Sequence, residues 1–182
     1  MMAELIGWKF TSEKPGCSPD PLYNSAYLKD LYFKANPEYQ GRFTVPVLWD
    51  KKHETIVNNE SSEIIRMLNS EFNHLAKYPK LDLYPEELRG EIDALNSWIY
   101  DQINNGVYKS GFATAQEAYE KNVVFLYDGL DKVEKILSER EFLTGGELTE
   151  ADVRLFTTIV RYDPVYHTHC TFLCRLNELL IF

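Results

Sequence analysis

Basic residues are scarce in this chain, and cysteine is scarcer still. Lysine and arginine number 19 against 28 aspartates and glutamates, a formal net charge of −9. A surface of that sign repels phosphates, which argues against a nucleic-acid partner. The three cysteines, Cys17, Cys170 and Cys174, are too few and too unevenly placed for a disulfide framework. A reducing, cytoplasmic setting fits that usage. No apolar run is long enough to span a bilayer. Met1-Met-Ala-Glu-Leu lacks the basic start and apolar core of a secretory leader, so none is expected. Internal repeats and low-complexity tracts are missing as well. Hydrophobic residues, by contrast, make up 45% of the 182 residues and aromatics 14%, enough for a packed core in one or two domains.

Strand signals come first and helix signals after. Residues 1–20 read as irregular, with a loop at Lys14-Pro-Gly-Cys-Ser-Pro-Asp20. A weak helix pattern runs from Leu22 to Lys34 and stops at Asn36-Pro37. A strand, hairpin and helix fill 42–72, and Ala76 to Pro85 reads as a linker with two prolines. Pro85 suits a first helical position. Leu88, Ile92, Leu95, Ile99 and Ile103 then step by three and four, which predicts an amphipathic helix ended by Asn104-Asn-Gly106. Thr114-Ala-Gln-Glu117 predicts a capping box for a second helix carrying Tyr119, Val123, Leu126, Leu130, Val133 and Leu137. Gly145-Gly146 breaks the chain. At Leu148-Thr149-Glu-Ala-Asp152-Val153, Thr149 and Asp152 form a capping box and Leu148 and Val153 a hydrophobic staple. Asp163-Pro164 stops that helix. The pattern is α+β, with an all-helical second part and a boundary near 76–84.

The densest local signal is Arg42-Phe-Thr-Val45-Pro46-Val-Leu-Trp49-Asp50, closed by Val57-Asn-Asn-Glu60-Ser61-Ser62. Proline is barred from a regular central strand. A Val45-Pro46 bond at a strand start is therefore a candidate cis bond. That geometry would turn the backbone N–H and C=O of Val45 outward, to pair with a bound peptide. Asp50 to Thr55 reads as a hairpin turn and Thr55-Ile-Val57 as the partner strand. Asn59 is a plausible N-cap, with Glu60, Ser61 and Ser62 in the first turn of a helix reaching about Phe72. Its N-terminus attracts a carboxylate, and Glu60 supplies the charge for an ammonium. One amino-acid head group, such as the γ-glutamyl end of a thiol tripeptide, satisfies both. The same pattern is also common as plain architecture. Ile64, Ile65, Leu68 and Phe72 read as an ordinary core face.

The finer words are Gly7-Trp8-Lys-Phe10, Phe43-Thr-Val-Pro-Val-Leu-Trp49, Ile56 to Ile65, Asn104-Asn-Gly-Val-Tyr-Lys109, Leu148 to Phe156 and Arg161-Tyr-Asp-Pro-Val-Tyr-His167. Taken in order, over about residues 7–169, they resemble the glutathionyl-hydroquinone reductases, the Xi class of glutathione transferases. The resemblance implies a partial thioredoxin-like N-terminal domain, residues 1–75, followed by an all-α glutathione-transferase C-terminal domain, residues 76–182. It implies glutathione as co-substrate, quinone or hydroquinone conjugates as the other partner, no metal, and a homodimer as an open option. By residue, it implies that Trp8 stacks on glutathione, Arg42 and Val45 hold its peptide portion, and Glu60 and Ser61 bind its γ-glutamyl end. Tyr108 is implied as the proton donor near the quinol oxygen, and Tyr166 as a hydrogen-bond donor to a cysteine thiolate. Without the resemblance, Tyr108 and Tyr166 read more readily as half-buried packing residues, and Trp8 as a core anchor.

The chain departs from the family in two places. The family's nucleophile lies in a Cys-Pro-Trp motif upstream of the Trp8 word, and this sequence contains no such motif. Cys17 follows Trp8 in a loop away from any helix start and is not read as a replacement. After His169 the match ends. The expectation is a chain incomplete at both ends, lacking the first strand, the nucleophile helix and the last helices, and inactive alone. Residues 1–75 by themselves are expected to be poorly ordered, because the apolar strand at Phe43–Leu48 would keep an open edge. A non-catalytic interaction module is the alternative. A metal site at His167, His169, Cys170 and Cys174 has no standard zinc spacing and is disfavoured.

Overall fold

The chain divides after Ala76 into two units, Met1–Ala76 and Lys77–Phe182. The structure, a computed structural model, describes residues 7–167. Residues 168–182, with His169, Cys170 and Cys174 of the disfavoured metal pattern, lie outside the described residues.

The first unit holds helix α1 (Leu28–Ala35), strands β1 (Leu48–Asp50) and β2 (Thr55–Asn58), and helix α2 (Ser61–Ser70). α1 starts later than its sequence pattern. Residues 20–25 instead form a turn around the buried Asp20, whose carboxylate accepts the N–H groups of Leu22 and Ser25 at 2.9 and 3.1 Å. Burial pushes the Asp20 carboxyl up, and these hydrogen bonds together outweigh it and hold it below its ordinary value. β1 is also shorter than the apolar run suggests, since residues 42–47 stand outside the ladder. β1 and β2 pair antiparallel as Leu48↔Asn58, Trp49↔Ile56 and Asp50↔Thr55, with an irregularity after Leu48.

The hairpin closes on Asp50. Its carboxylate accepts the backbone N–H groups of Lys52 and His53 and contacts His53 Nδ1 at 2.7 Å. The His53 ring, then its backbone N–H, hold the Asp50 carboxyl at about 2 instead of 3.8. Folding lowers this pKa. Its contribution is therefore complete above the unfolded value near 4 and is lost as pH falls through about 2. A carbon-13 titration of the Asp50 carboxyl should give a midpoint near 2, moving back toward 3.8 in His53→Ala. A midpoint at 3.8 in the unaltered chain would refute the contact.

The sequence pattern places Asn59 at the cap of α2, but Glu60 occupies it. The Glu60 carboxylate accepts Ser62 N–H at 3.2 Å. Asn59 is diverted, because its amide donates to Tyr32 Oη and Thr44 Oγ1 at 3.1 and 3.2 Å. The expected core face of α2 is half realised: Ile64 is buried, while Leu68 and Phe72 stay exposed. Among the described residues of this unit only Leu28, Tyr32 and Ile64 are buried apolar or aromatic side chains.

The second unit is helical. α3 (Arg89–Ile99), a π-helical turn (Tyr100–Asn104) and α4 (Gly106–Gly111) follow in direct succession. The sequence reading ended this helix at Asn104-Asn-Gly106, and the structure does not. Asn105 N–H reaches back five residues to Tyr100 O at 2.8 Å, and Lys109 N–H returns to the α pattern on Asn105 O. Gly106 lacks a side chain for packing, not for a turn: a Cβ there would lie 3.3 Å from Leu126 Cδ1. α5 (Gln116–Leu137) begins after Ala115, which makes no side-chain cap, so the Thr114 capping box does not form. α6 (Glu150–Ile159) does carry its expected box: Asp152 accepts Thr149 N–H and Oγ1 at 2.9 and 3.0 Å. Leu148 remains half-exposed, so the staple covers little. α6 stops before Asp163-Pro164, and a second π-helical turn (Tyr162–His167) follows. The core of this unit joins Ile92, Ile99, Ile103, Val107, Leu126, Val133 and Leu155, with other side chains around them. Among the described residues no helix is long and apolar enough to cross a membrane.

Candidate functional site

In the first unit, two short segments present the residues singled out for a tripeptide. One is the stretch before β1, where the Val45–Pro46 peptide is cis and Val45 is 51% exposed. The other is the start of α2. A small polar bracket ties them together. Tyr32, almost fully buried on α1, donates its hydroxyl to Thr44 O at 2.7 Å and accepts from Asn59 Nδ2. Asn59 also donates to Thr44 Oγ1. The residue before Val45 and the residue before Glu60 are thereby held by the same three side chains. The sequence reading did not find this bracket, since nothing local in Asn59 announces partners so distant along the chain.

Glu60 is exposed, and its Oε1 accepts the hydroxyls of Ser61 and Ser62 at 3.3 and 3.2 Å as well as Ser62 N–H. The mouth of α2 is therefore occupied by the protein's own carboxylate. An incoming carboxylate has to displace it, and a displaced Glu60 is then available to a cation. Arg42 is exposed, and its carbonyl accepts the Tyr39 hydroxyl at 3.0 Å. Trp8 is 60% exposed, not a core anchor; its carbonyl accepts Leu28 N–H at 2.9 Å, which fixes its backbone beside α1. Cys17 is exposed and unpaired, in a turn where its N–H donates to Lys14 O.

In the second unit the structure brings together the two tyrosines. The hydroxyls of Tyr108 on α4 and Tyr166 in the second π-helical turn stand 3.0 Å apart across 58 residues of sequence. Their rings meet edge to face, with centroids 5.5 Å apart. Tyr166 is buried, and Tyr108 is 46% exposed. A buried phenol in contact with a half-exposed one can orient it, and can pass a hydrogen bond toward whatever Tyr108 faces. Phe112, one turn further on α4, lies parallel to the Tyr108 ring with centroids 6.2 Å apart. The sequence reading passed over Phe112, although its spacing of four from Tyr108 was a usable signal. Among the described residues no group of three metal-ligating side chains is gathered.

The glutathione S-transferase C-terminal domain model matches residues 116–180. The chain is similar to the glutathionyl-hydroquinone reductase YqjG of Escherichia coli, 55% identical over 163 residues, covering 90% of this chain and 49% of that protein. It is similar to the crystal structure of the glutathione S-transferase Xi from Phanerochaete chrysosporium: TM-score 0.88, 59% identity, 93% of this chain and 58% of that one. The glutathione-bound structure of YqjG gives a TM-score of 0.88 at 54% identity, covering 91% of this chain and 54% of that one. The chain spans about half the length of the curated relatives it matches. The fold class follows: α+β, a partial thioredoxin-like unit followed by a helical transferase C-terminal unit.

Proposed function

The chain belongs to the glutathionyl-hydroquinone reductases, the Xi-class glutathione transferases, and from that membership we propose that it binds glutathione and hydroquinone conjugates but does not turn them over alone. The observation that supports this most is the meeting of Tyr108 and Tyr166 at hydrogen-bond distance, because both carry roles in the reaction the family implies.

In the first unit, Val45 offers its backbone to the peptide portion of glutathione, Arg42 its guanidinium, and Trp8 an exposed indole face. Glu60 swings from Ser62 N–H to the γ-glutamyl ammonium, and Ser61 helps take the carboxylate in its place. In the family reaction a cysteine thiolate attacks the sulfur of the conjugate. The aryl C–S bond breaks and an S–S bond forms. The electron pair leaves with the ring, which takes up a proton. Tyr108 serves as proton donor at the quinol oxygen, and Tyr166 holds a hydrogen bond toward the thiolate. A second glutathione then releases the mixed disulfide as oxidised glutathione. The sequence has no Cys-Pro-Trp nucleophile, so this chain stops at binding.

Calorimetry on the full chain tests the proposal. Glutathione and S-methylglutathione should bind with similar affinity, since no thiol chemistry follows. Glu60→Ala should weaken both about tenfold, roughly 1.4 kcal/mol. No heat from a chain whose β1–β2 amides are protected would overturn the binding claim. Turnover of a glutathionyl-hydroquinone that Cys17→Ser abolishes would overturn the claim of inactivity.

A further inference from the structure

The helix that carries Tyr108 is interrupted four residues before it. The π-helical turn at Tyr100–Asn104 adds one residue to the helical path, which rotates everything after it by about 100° relative to an unbroken α-helix. Tyr108 meets Tyr166 only in that rotated frame. A π turn is less favourable than an α turn and persists where side chains hold it. Here the polar side chains of the turn are tied in different directions. Asp101 pairs with Lys109, and the buried Gln102 accepts from Lys132 Nζ at 3.0 Å. Asn104 reaches the element leading to Tyr166. Its amide donates to Thr158 Oγ1 at 2.6 Å and to Arg154 O at 3.2 Å, both on α6. Thr158 is buried, so this contact is sheltered from competing water.

We infer that Asn104 is a positioning residue for the phenol pair: by strapping the π-helical turn to α6 it sets the direction of Tyr108 and its distance from Tyr166. Part of this rests on the proposed reading of the two tyrosines, and the geometry itself does not. Without the strap the turn relaxes toward α-helical pairing, and the Tyr108 ring rotates away from its partner.

The test uses the full chain and three variants. Asn104→Leu removes both donors at similar volume. Thr158→Val removes one acceptor and keeps the shape, in case the first variant folds poorly. Val133→Ala is a control that loosens the same buried core while leaving Asn104, Thr158 and the Arg154 carbonyl intact. The first readout needs no ligand: a crystal structure of the Asn104 or Thr158 variant should show the two phenol oxygens beyond 3.5 Å, outside hydrogen-bond range. A separation still near 3.0 Å, as in the unaltered chain, would overturn the assignment. The second readout is the affinity for 2-glutathionyl-1,4-hydroquinone under argon. Asn104→Leu should weaken binding about tenfold, and Val133→Ala should leave it unchanged. In a Tyr108→Phe background Asn104→Leu should have no further effect. Equal losses with and without the Tyr108 hydroxyl would reduce Asn104 to a structural role. Should the unaltered chain not bind the conjugate at all, the proposed function fails, and the oxygen separation still decides the positioning role.

Discussion

Valine at position 129 should destabilise the helical unit by about 3 kcal/mol, at the upper end of the range for an overfilled core. Gly129 lies buried on α5, where α5 crosses the π-helical turn. A Cβ there would stand 2.9 Å from Gln102 Cβ and 3.1 Å from Ile103 Cγ1. Neither atom is the loose end of a long side chain. The Gln102 Cβ moves only with its own backbone, so relief requires parting two helices. Valine adds two methyl groups beyond that first clash. Its better helix propensity than glycine returns less than 1 kcal/mol and does not change the sign. Urea unfolding followed by far-ultraviolet circular dichroism should show a lower midpoint at nearly constant slope. A midpoint unchanged within error would mean that α5 and the turn are not in the contact described. Gly106→Ala is the instructive comparison. Its clash is with the flexible tip of Leu126 at 3.3 Å, and it should cost far less.

Asp152→Ala should cost the helical unit about 2–4 kcal/mol, more than an ordinary cap. One oxygen of the carboxylate accepts Thr149 N–H and Thr149 Oγ1. The other accepts Leu143 N–H at 2.8 Å, which ties the loop before α6 to the start of the helix. Alanine leaves these donors unsatisfied, two of them backbone groups. Thr149 and Leu143 are almost fully buried, so water does not replace the lost acceptor easily. Asp152→Asn keeps the shape and one acceptor and should fall between. Thermal melts of the three chains would rank them. A loss below about 0.5 kcal/mol for alanine, the level of a surface substitution, would contradict the bonding shown.

These two sites also explain what could be read from the sequence. The α6 box is local: Thr149 and Asp152 lie three apart, and their mutual bonds follow from helix geometry wherever the segment sits. The Gly129 contact is not local. It lets α5 pack close against Gln102 and Ile103, and with Asn104 tied to α6 the helix runs on through Asn104-Asn-Gly106, a legitimate stop signal in isolation. Asn59 departs from its local signal for a similar reason. It is a good cap in isolation, but Tyr32 and Thr44 claim its amide, and Glu60 takes its place. The apolar run at 42–50 gave the hairpin, though the ladder begins only at Leu48. Trp8, a core anchor by residue type alone, stands exposed instead. Spacing could not bring Tyr108 and Tyr166 together across 58 residues. The motif resemblance singles them out, and their contact needs the fold.

The uneven cores of the two units carry a thermal consequence. Heat capacity rises on unfolding in proportion to the apolar surface that becomes wet. The N-terminal unit, with Leu28, Tyr32 and Ile64 as its buried centre among the described residues, has little such surface to release. Its stability curve is therefore shallow, and warming or chilling alters its population slowly. The helical unit, with its continuous apolar interior, has the steeper dome and the sharper melt.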